Sequence, residues 1–175
     1  MKKILNGYKQ QQQGVAAVEF ALLATPLMMT VLGLIELSLF YASGIAVEGA
    51  STSSARVIRT GQAQISGDPL TMFQDTLCSQ VGVFVDCANL TYEVINAGQD
   101  FSGVDMAPQF DAEGNMLSQG FDPGGSDEVV LVRVSYRYEF MTPFIGGMLD
   151  DGQSTNSSTF VSTVIIRNEP YTFNG

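Results

Sequence analysis

Two carboxylates stand where carboxylates are costly. From Val15 to Val47 the chain has no Lys, Arg or Asp, and its only acids are Glu19 and Glu36. An unpaired carboxylate in hydrocarbon costs about 2.5–3.5 kcal/mol on insertion scales, so each needs water or a partner. Glu19 lies near the start of the run, where it can pair with a cation or reach the headgroups. Glu36 follows the charge-free stretch from Phe20 to Ile35. That stretch is about 24 Å of helix, so Glu36 reads as a marker of the outer membrane interface rather than a buried pairing group. Cys78 and Cys87 are the only thiols, and the chain has no histidine. Zinc would need four ligands and a redox pair would normally be C-x-x-C, so a structural disulfide is favoured over either. Closing so short a loop contributes about 2–3 kcal/mol in the chain-entropy model. The acidic stretches "DMAPQFDAEGN" and "DPGGSDE" hold Asp105, Asp111, Glu113, Asn115, Asp122 and Asp127, oxygen donors of the kind calcium takes. Their spacing lacks the Gly and Glu positions of an EF-hand loop, and solvated acidic loops are the reading. Without histidine there is no conventional triad, and no Gly-rich phosphate loop follows a strand. Neither catalysis nor a cofactor or metal is expected.

The elements that position these groups divide the chain in two. The 33-residue run from Val15 to Val47 is too apolar for a surface helix and reads as a membrane span. It is at least twice the h-region of a secretory signal, so simple secretion is disfavoured. Ala42, Ala46, Ala50 and Ser54 continue it with a small residue every four positions, a stripe on which another helix could approach closely. Gly61 is the predicted stop, and Pro26 is expected to kink or locally melt the helix. Beyond it, Asp68-Pro69 predicts an N-cap and first turn, with Leu70, Phe73, Leu77 and Val81 as a buried face. A strand is predicted over Leu90 to Ile95, then loops from Asn96 to Asp127 with a tight turn at Glu113-Gly114-Asn115. In "EVVLVRVSYRYEFM", Val130, Val132, Val134, Tyr136, Tyr138 and Phe140 alternate onto a core face. Arg133, Ser135, Arg137 and Glu139 take the opposite face, expected to be wet. A turn region at Pro143 to Gly147 and a polar loop lead to an antiparallel strand from Thr159 to Ile166. The fold class is α+β: a long N-terminal hydrophobic helix packed on a small antiparallel sheet.

Charge follows the same division. Lys2, Lys3 and Lys9 make the leader basic, whereas fifteen acids after residue 60 face only Arg133, Arg137 and Arg167. So acidic a body repels nucleic acid, and no nucleic-acid partner is expected. The lysines favour a cytoplasmic N-terminus, although Arg56 and Arg59 beyond the span weaken that asymmetry. The cysteines would then lie in an oxidising compartment.

A polar, basic leader ending in Gly14, an apolar run from Val15, Glu19 at its fifth position and Phe20 next resemble the class III signal of type IV pilin-like proteins. "SARVIRTGQAQ", Ser54 to Gln64, and "IIRNEPY", Ile165 to Tyr171, narrow the resemblance to the TadE-like pseudopilins of the tight-adherence (Tad) type IVc pilus system. The resemblance implies a pilin-like minor subunit divided into a leader, 1–14, a membrane-spanning and later filament-core helix, 15–61, and an exported body, 62–175. It implies cutting after Gly14 by a prepilin peptidase, with Val15 as the new N-terminus and Glu19 meeting a neighbouring subunit's amine to set register. Phe20 would join that assembly contact, and Glu36, Ala42, Ala46 and Ala50 are candidate interface positions. The implied partners are the peptidase, the major pilin and other Tad minor pilins, the inner-membrane assembly platform, and the lipid bilayer before assembly. The implied location is the inner membrane and then an extracellular pilus serving adhesion and biofilm formation. The alternative is a single-span, membrane-anchored extracytoplasmic binding domain that is neither cleaved nor polymerised.

Overall fold

The structure is a computed structural model that describes residues 2–100, 104–105, 107–149 and 156–171. Helix α1 runs from Lys2 to Arg59. It passes through Pro26 without a break, so the expected local melting does not occur. Thr25 and Thr30 donate their hydroxyls to the Ala21 and Pro26 carbonyls, each at 2.8 Å. The helix stops two residues before Gly61, whose φ of 74° is the left-handed conformation that glycine supplies at a helix end. The Tyr171 ring lies where a Cβ on Gly61 would stand, 2.8 Å away, which makes this stop doubly specific to glycine.

After the one-turn α2 (Gln62–Ile65) comes α3 (Pro69–Val81). Its start is chemically determined: Asp68 accepts from the Thr71 N–H at 3.2 Å and from the Thr71 hydroxyl at 2.6 Å, with Pro69 in the first turn. Phe73, Leu77 and Val81 form the buried face. Leu70, expected with them, is exposed, because the first turn projects past the edge of the core. Cys78 and Cys87 are joined in a disulfide, the structural bond expected from the absence of further metal ligands and of a C-x-x-C motif.

Strands β1 (Leu90–Gly98), β2 (Val129–Glu139) and β3 (Ser157–Arg167) form one antiparallel sheet with β2 in the middle. β1 outruns its predicted end by three residues, and Asn96 to Gly98 are strand rather than loop. The predicted turn at Pro143 is a short helix, α4 (Pro143–Leu149). On one face of the sheet, Val94, Val130, Val132 and Val134 meet Val47, Ala50 and Ile58 of α1 and Phe73 and Leu77 of α3. The architecture is therefore the expected one, a long apolar helix on a three-stranded antiparallel sheet.

The other face departs from expectation. Arg133 and Ser135 were assigned to a wet surface, yet β2 is buried on both faces from Val129 to Ser135. The segment after residue 107 folds back across that face. Ser118 donates to the Tyr92 carbonyl, Arg137 to the Glu113 carbonyl and Thr159 to the Gly114 carbonyl. Phe121 pairs with Val94 as an isolated parallel bridge. Under this cover Glu93 and Arg133, direct cross-strand partners, form an ion pair with both side chains fully buried.

Candidate functional site

The covered face of α1 traces one stripe through Gly33, Glu36, half-buried Phe40, Ser43, Val47, Ala50, Ser54 and Ile58, flanked by buried Ser51 and Ala55. Their steps of three and four residues follow the turn of an α-helix, so this is the face on which the body sits. A row spaced strictly by four drifts about 40° per step. The predicted small-residue row accordingly turns from partly open at Ala42 and Ala46 to fully covered at Ala50 and Ser54. The close approach that Ala50 allows is used inside the chain.

Below Gly33 the helix stands clear of the body. Gly14 has open space around it, and Val15, Glu19 and Phe20 are all exposed, Phe20 at 74%. Leu22, Leu23, Leu27, Met28 and Met29 continue the uncovered apolar surface. Among the described residues Glu19 has no hydrogen bond or ion pair. Its Cα lies about 6 Å along the axis from that of Val15. The structure therefore presents Gly14, Val15, Glu19 and Phe20 together on a bare helix and keeps them apart from the remaining candidates.

Glu36 does more than mark a boundary. It is buried, and its carboxylate accepts the backbone N–H of Met141 and of Thr142 together with the Thr142 hydroxyl. Three donors satisfy an acid that would otherwise be expensive to bury. One helical turn on, the Phe40 ring lies 5.5 Å from Tyr138, 5.2 Å from Phe140 and 4.5 Å from Phe160, measured between centroids. One turn further, Gly44 leaves room for Phe160, whose ring is 2.9 Å from where a Cβ would stand. Burial, and next the Glu36 charge, push the Tyr138 phenol above its ordinary pKa. Glu36, Phe40 and Gly44 thus dock the helix onto the distal end of β2 and the start of β3. Sequence reading missed Phe40 and Gly44, although their four-residue spacing from Glu36 was there to find.

The acidic loops spend their carboxylates locally. Asp111 accepts from the Asn115 side chain and from the N–H groups of Asn115 and Glu113, and the Asn115 side chain above all holds its carboxyl below the usual range. Asp122 accepts from the Gly124 N–H, and Asp127 pairs with Arg167. Among the described residues no group of three or more acids or cysteines is placed to hold a metal.

A helix long and apolar enough to cross a membrane, bare over its first half and docked on a sheet body over its second, fits a single-pass membrane anchor with an appended α+β body. Residues 14–56 match the model of the family described as TadE-like protein, a segment lying wholly within α1 and opening on Gly14. The match covers 43 of the chain's 175 residues: its apolar helix is similar to the TadE-like family, and the body lies outside the matched segment. No curated protein matches the chain, and no solved structure does.

Proposed function

We propose that the chain is a minor, pseudopilin-type subunit needed to assemble a Tad-type pilus used in adhesion and biofilm formation. The observation that carries this reading is the bare apolar stretch of α1 that follows Gly14, with Glu19 at the fifth position from Val15, inside the TadE-like segment. A prepilin peptidase cuts after Gly14 and leaves Val15 as the N-terminus. Residues 1–14 are then discarded, 15–61 serve as anchor and later as filament core, and 62–175 form the exported body. The chain waits in the inner membrane with its N-terminus cytoplasmic and its body periplasmic.

Assembly through the platform moves α1 from lipid into contact with the major pilin and other minor pilins. The Glu19 carboxylate is acceptor for the Val15 ammonium of a neighbouring subunit. An ion pair in a low-dielectric filament core is worth far more than one in water, so mispaired registers are penalised. Phe20 adds apolar contact area beside it. Ala42, half-open in the single chain, remains available to a neighbouring helix, whereas Ala46 packs against the core and Ala50 and Glu36 are engaged within the chain.

The test is N-terminal sequencing of the membrane-fraction protein with and without the peptidase, followed by its recovery with sheared pili. The expected result is Val15 first, and Met1 retained only when the peptidase is absent. An uncut leader in the presence of the peptidase, with no recovery in pili, would instead establish the anchored binding domain that never polymerises.

A further inference from the structure

The membrane-side end of the body carries an apolar element that the assembly reading leaves unused. From Phe140 to Leu149 the sequence FMTPFIGGML has no charged residue, and Asp150-Asp151 follow it. Met141 is 83% exposed and Met148 70%, while Leu149 is also exposed. The acidic body exposes other apolar side chains, Val83 at 94% and Ile65 at 67% among them, but Met141 and Met148 belong to a charge-free run that meets α1 at Gly33 and Glu36.

Two contacts fix this element against α1. The Ile145 Cδ1 lies 3.1 Å from where a Cβ on Gly33 would stand, and Glu36 holds the backbone entering α4 through Met141 and Thr142. Depth then follows from helix geometry. Gly33 is 18 residues beyond Val15, about 27 Å along the axis, against a hydrocarbon core about 30 Å thick. Measured from the middle of the charge-free Phe20 to Ile35 stretch, Gly33 is only about 8 Å away, well within a half-thickness of about 15 Å. A bilayer that covers the bare part of α1 therefore reaches α4 as well.

We propose that α4 and Met141 are a second membrane contact, a short element seated among the acyl chains of the outer leaflet beside Gly33. This rests on the reading that α1 spans the bilayer. Glu36 makes the position tolerable, because its carboxylate and the donors at Met141 and Thr142 satisfy one another without water. With α4 in the leaflet, the body has one depth and one rotation about α1 while it waits for assembly. Leaving the bilayer requires another apolar surface to replace the lipid on Met141 and Met148.

The chain has no tryptophan, so single tryptophans report cleanly. The full chain is reconstituted in phosphatidylethanolamine–phosphatidylglycerol vesicles with and without bromine on the acyl chains, carrying Met148→Trp, Leu27→Trp or Ile65→Trp. Leu27 lies in the span, and Ile65, 67% exposed, lies beyond the far end of α1. Met148→Trp is expected to emit to the blue and to lose at least about half its intensity to brominated chains, as Leu27→Trp does, with Ile65→Trp unaffected. Quenching of Leu27→Trp without quenching of Met148→Trp would overturn the α4 contact and leave the anchor intact. Loss of quenching at both would overturn the anchor reading and the α4 contact with it.

Discussion

Replacing Glu93 with leucine should be far more damaging than its place on a strand would suggest. Glu93 and Arg133 are both fully buried, and Glu93 also accepts the Gln119 N–H at 3.0 Å. Removing one member of a buried ion pair leaves the other's charge in a poor solvent, at a cost of about 3–5 kcal/mol. The stranded Gln119 N–H adds about 1 kcal/mol. For a body whose urea dependence is about 1–3 kcal/mol per molar, such a loss moves the unfolding midpoint down by roughly 2 M. The assay is urea unfolding of the full chain in detergent micelles, with circular dichroism restricted to wavelengths that report the sheet and its aromatic residues. Combining Glu93→Leu with Arg133→Met removes both charges and keeps the volume, so the double variant should recover to within about 1–2 kcal/mol of the parent. A single variant costing under about 1 kcal/mol, or a double variant costing the sum of the two singles, would refute the claim that burial makes this pair interdependent.

Other outcomes follow from the same packing. Glu36→Ala should cost about 1.5–3 kcal/mol in thermal melts, because it removes a charged acceptor from three donors at Met141 and Thr142, and Glu36→Gln should recover part of it. Gly44→Val should lose about 1–3 kcal/mol from collision with the Phe160 ring, and pairing it with Phe160→Leu should relieve most of that in the same melts. Reducing the Cys78–Cys87 bond should lower stability by about 2–3 kcal/mol, seen as an earlier unfolding transition after reduction and alkylation. Asp68 is held below its ordinary 3.8 chiefly by the Thr71 hydroxyl, and Asp111 below the same value chiefly by the Asn115 side chain. Each therefore binds its proton less readily folded than unfolded. Their contribution is present above about pH 3.8 and is lost as the pH falls through the lowered values. The unfolding midpoint should accordingly drop below pH 4, and less steeply in Asp68→Asn.

Much of the chain's plan was legible before any fold was known. Asp68-Pro69 specified the start of α3 because a cap and a fixed φ act within four residues. The alternation from Val130 to Phe140 identified the central strand, since side chains on a strand change faces every residue. Gly61 marked the end of α1, and the pairing of Cys78 with Cys87 needed only their isolation from other metal ligands. The order of Gly14, Val15 and Glu19 along one helix was equally local, whereas the processing and register roles proposed for them rest on the resemblance.

What escaped sequence reading depended on distant segments. Arg133 looked solvent-facing because alternation says which residues share a face and cannot say that a loop from earlier in the chain, around Glu113 to Gln119, will cover it. Glu36 looked like a boundary mark because its donors, Met141 and Thr142, stand more than a hundred positions later. The row of small residues from Ala42 to Ser54 looked like one interface because a four-residue repeat is easily read as a straight line, whereas it winds around the helix. The sequence by itself determined a long apolar helix, its caps, its strands and a carboxylate near its start, all set by neighbouring residues. Only the tertiary structure decided which carboxylates are buried and which face of α1 stays bare, because burial depends on what folds back over a side chain.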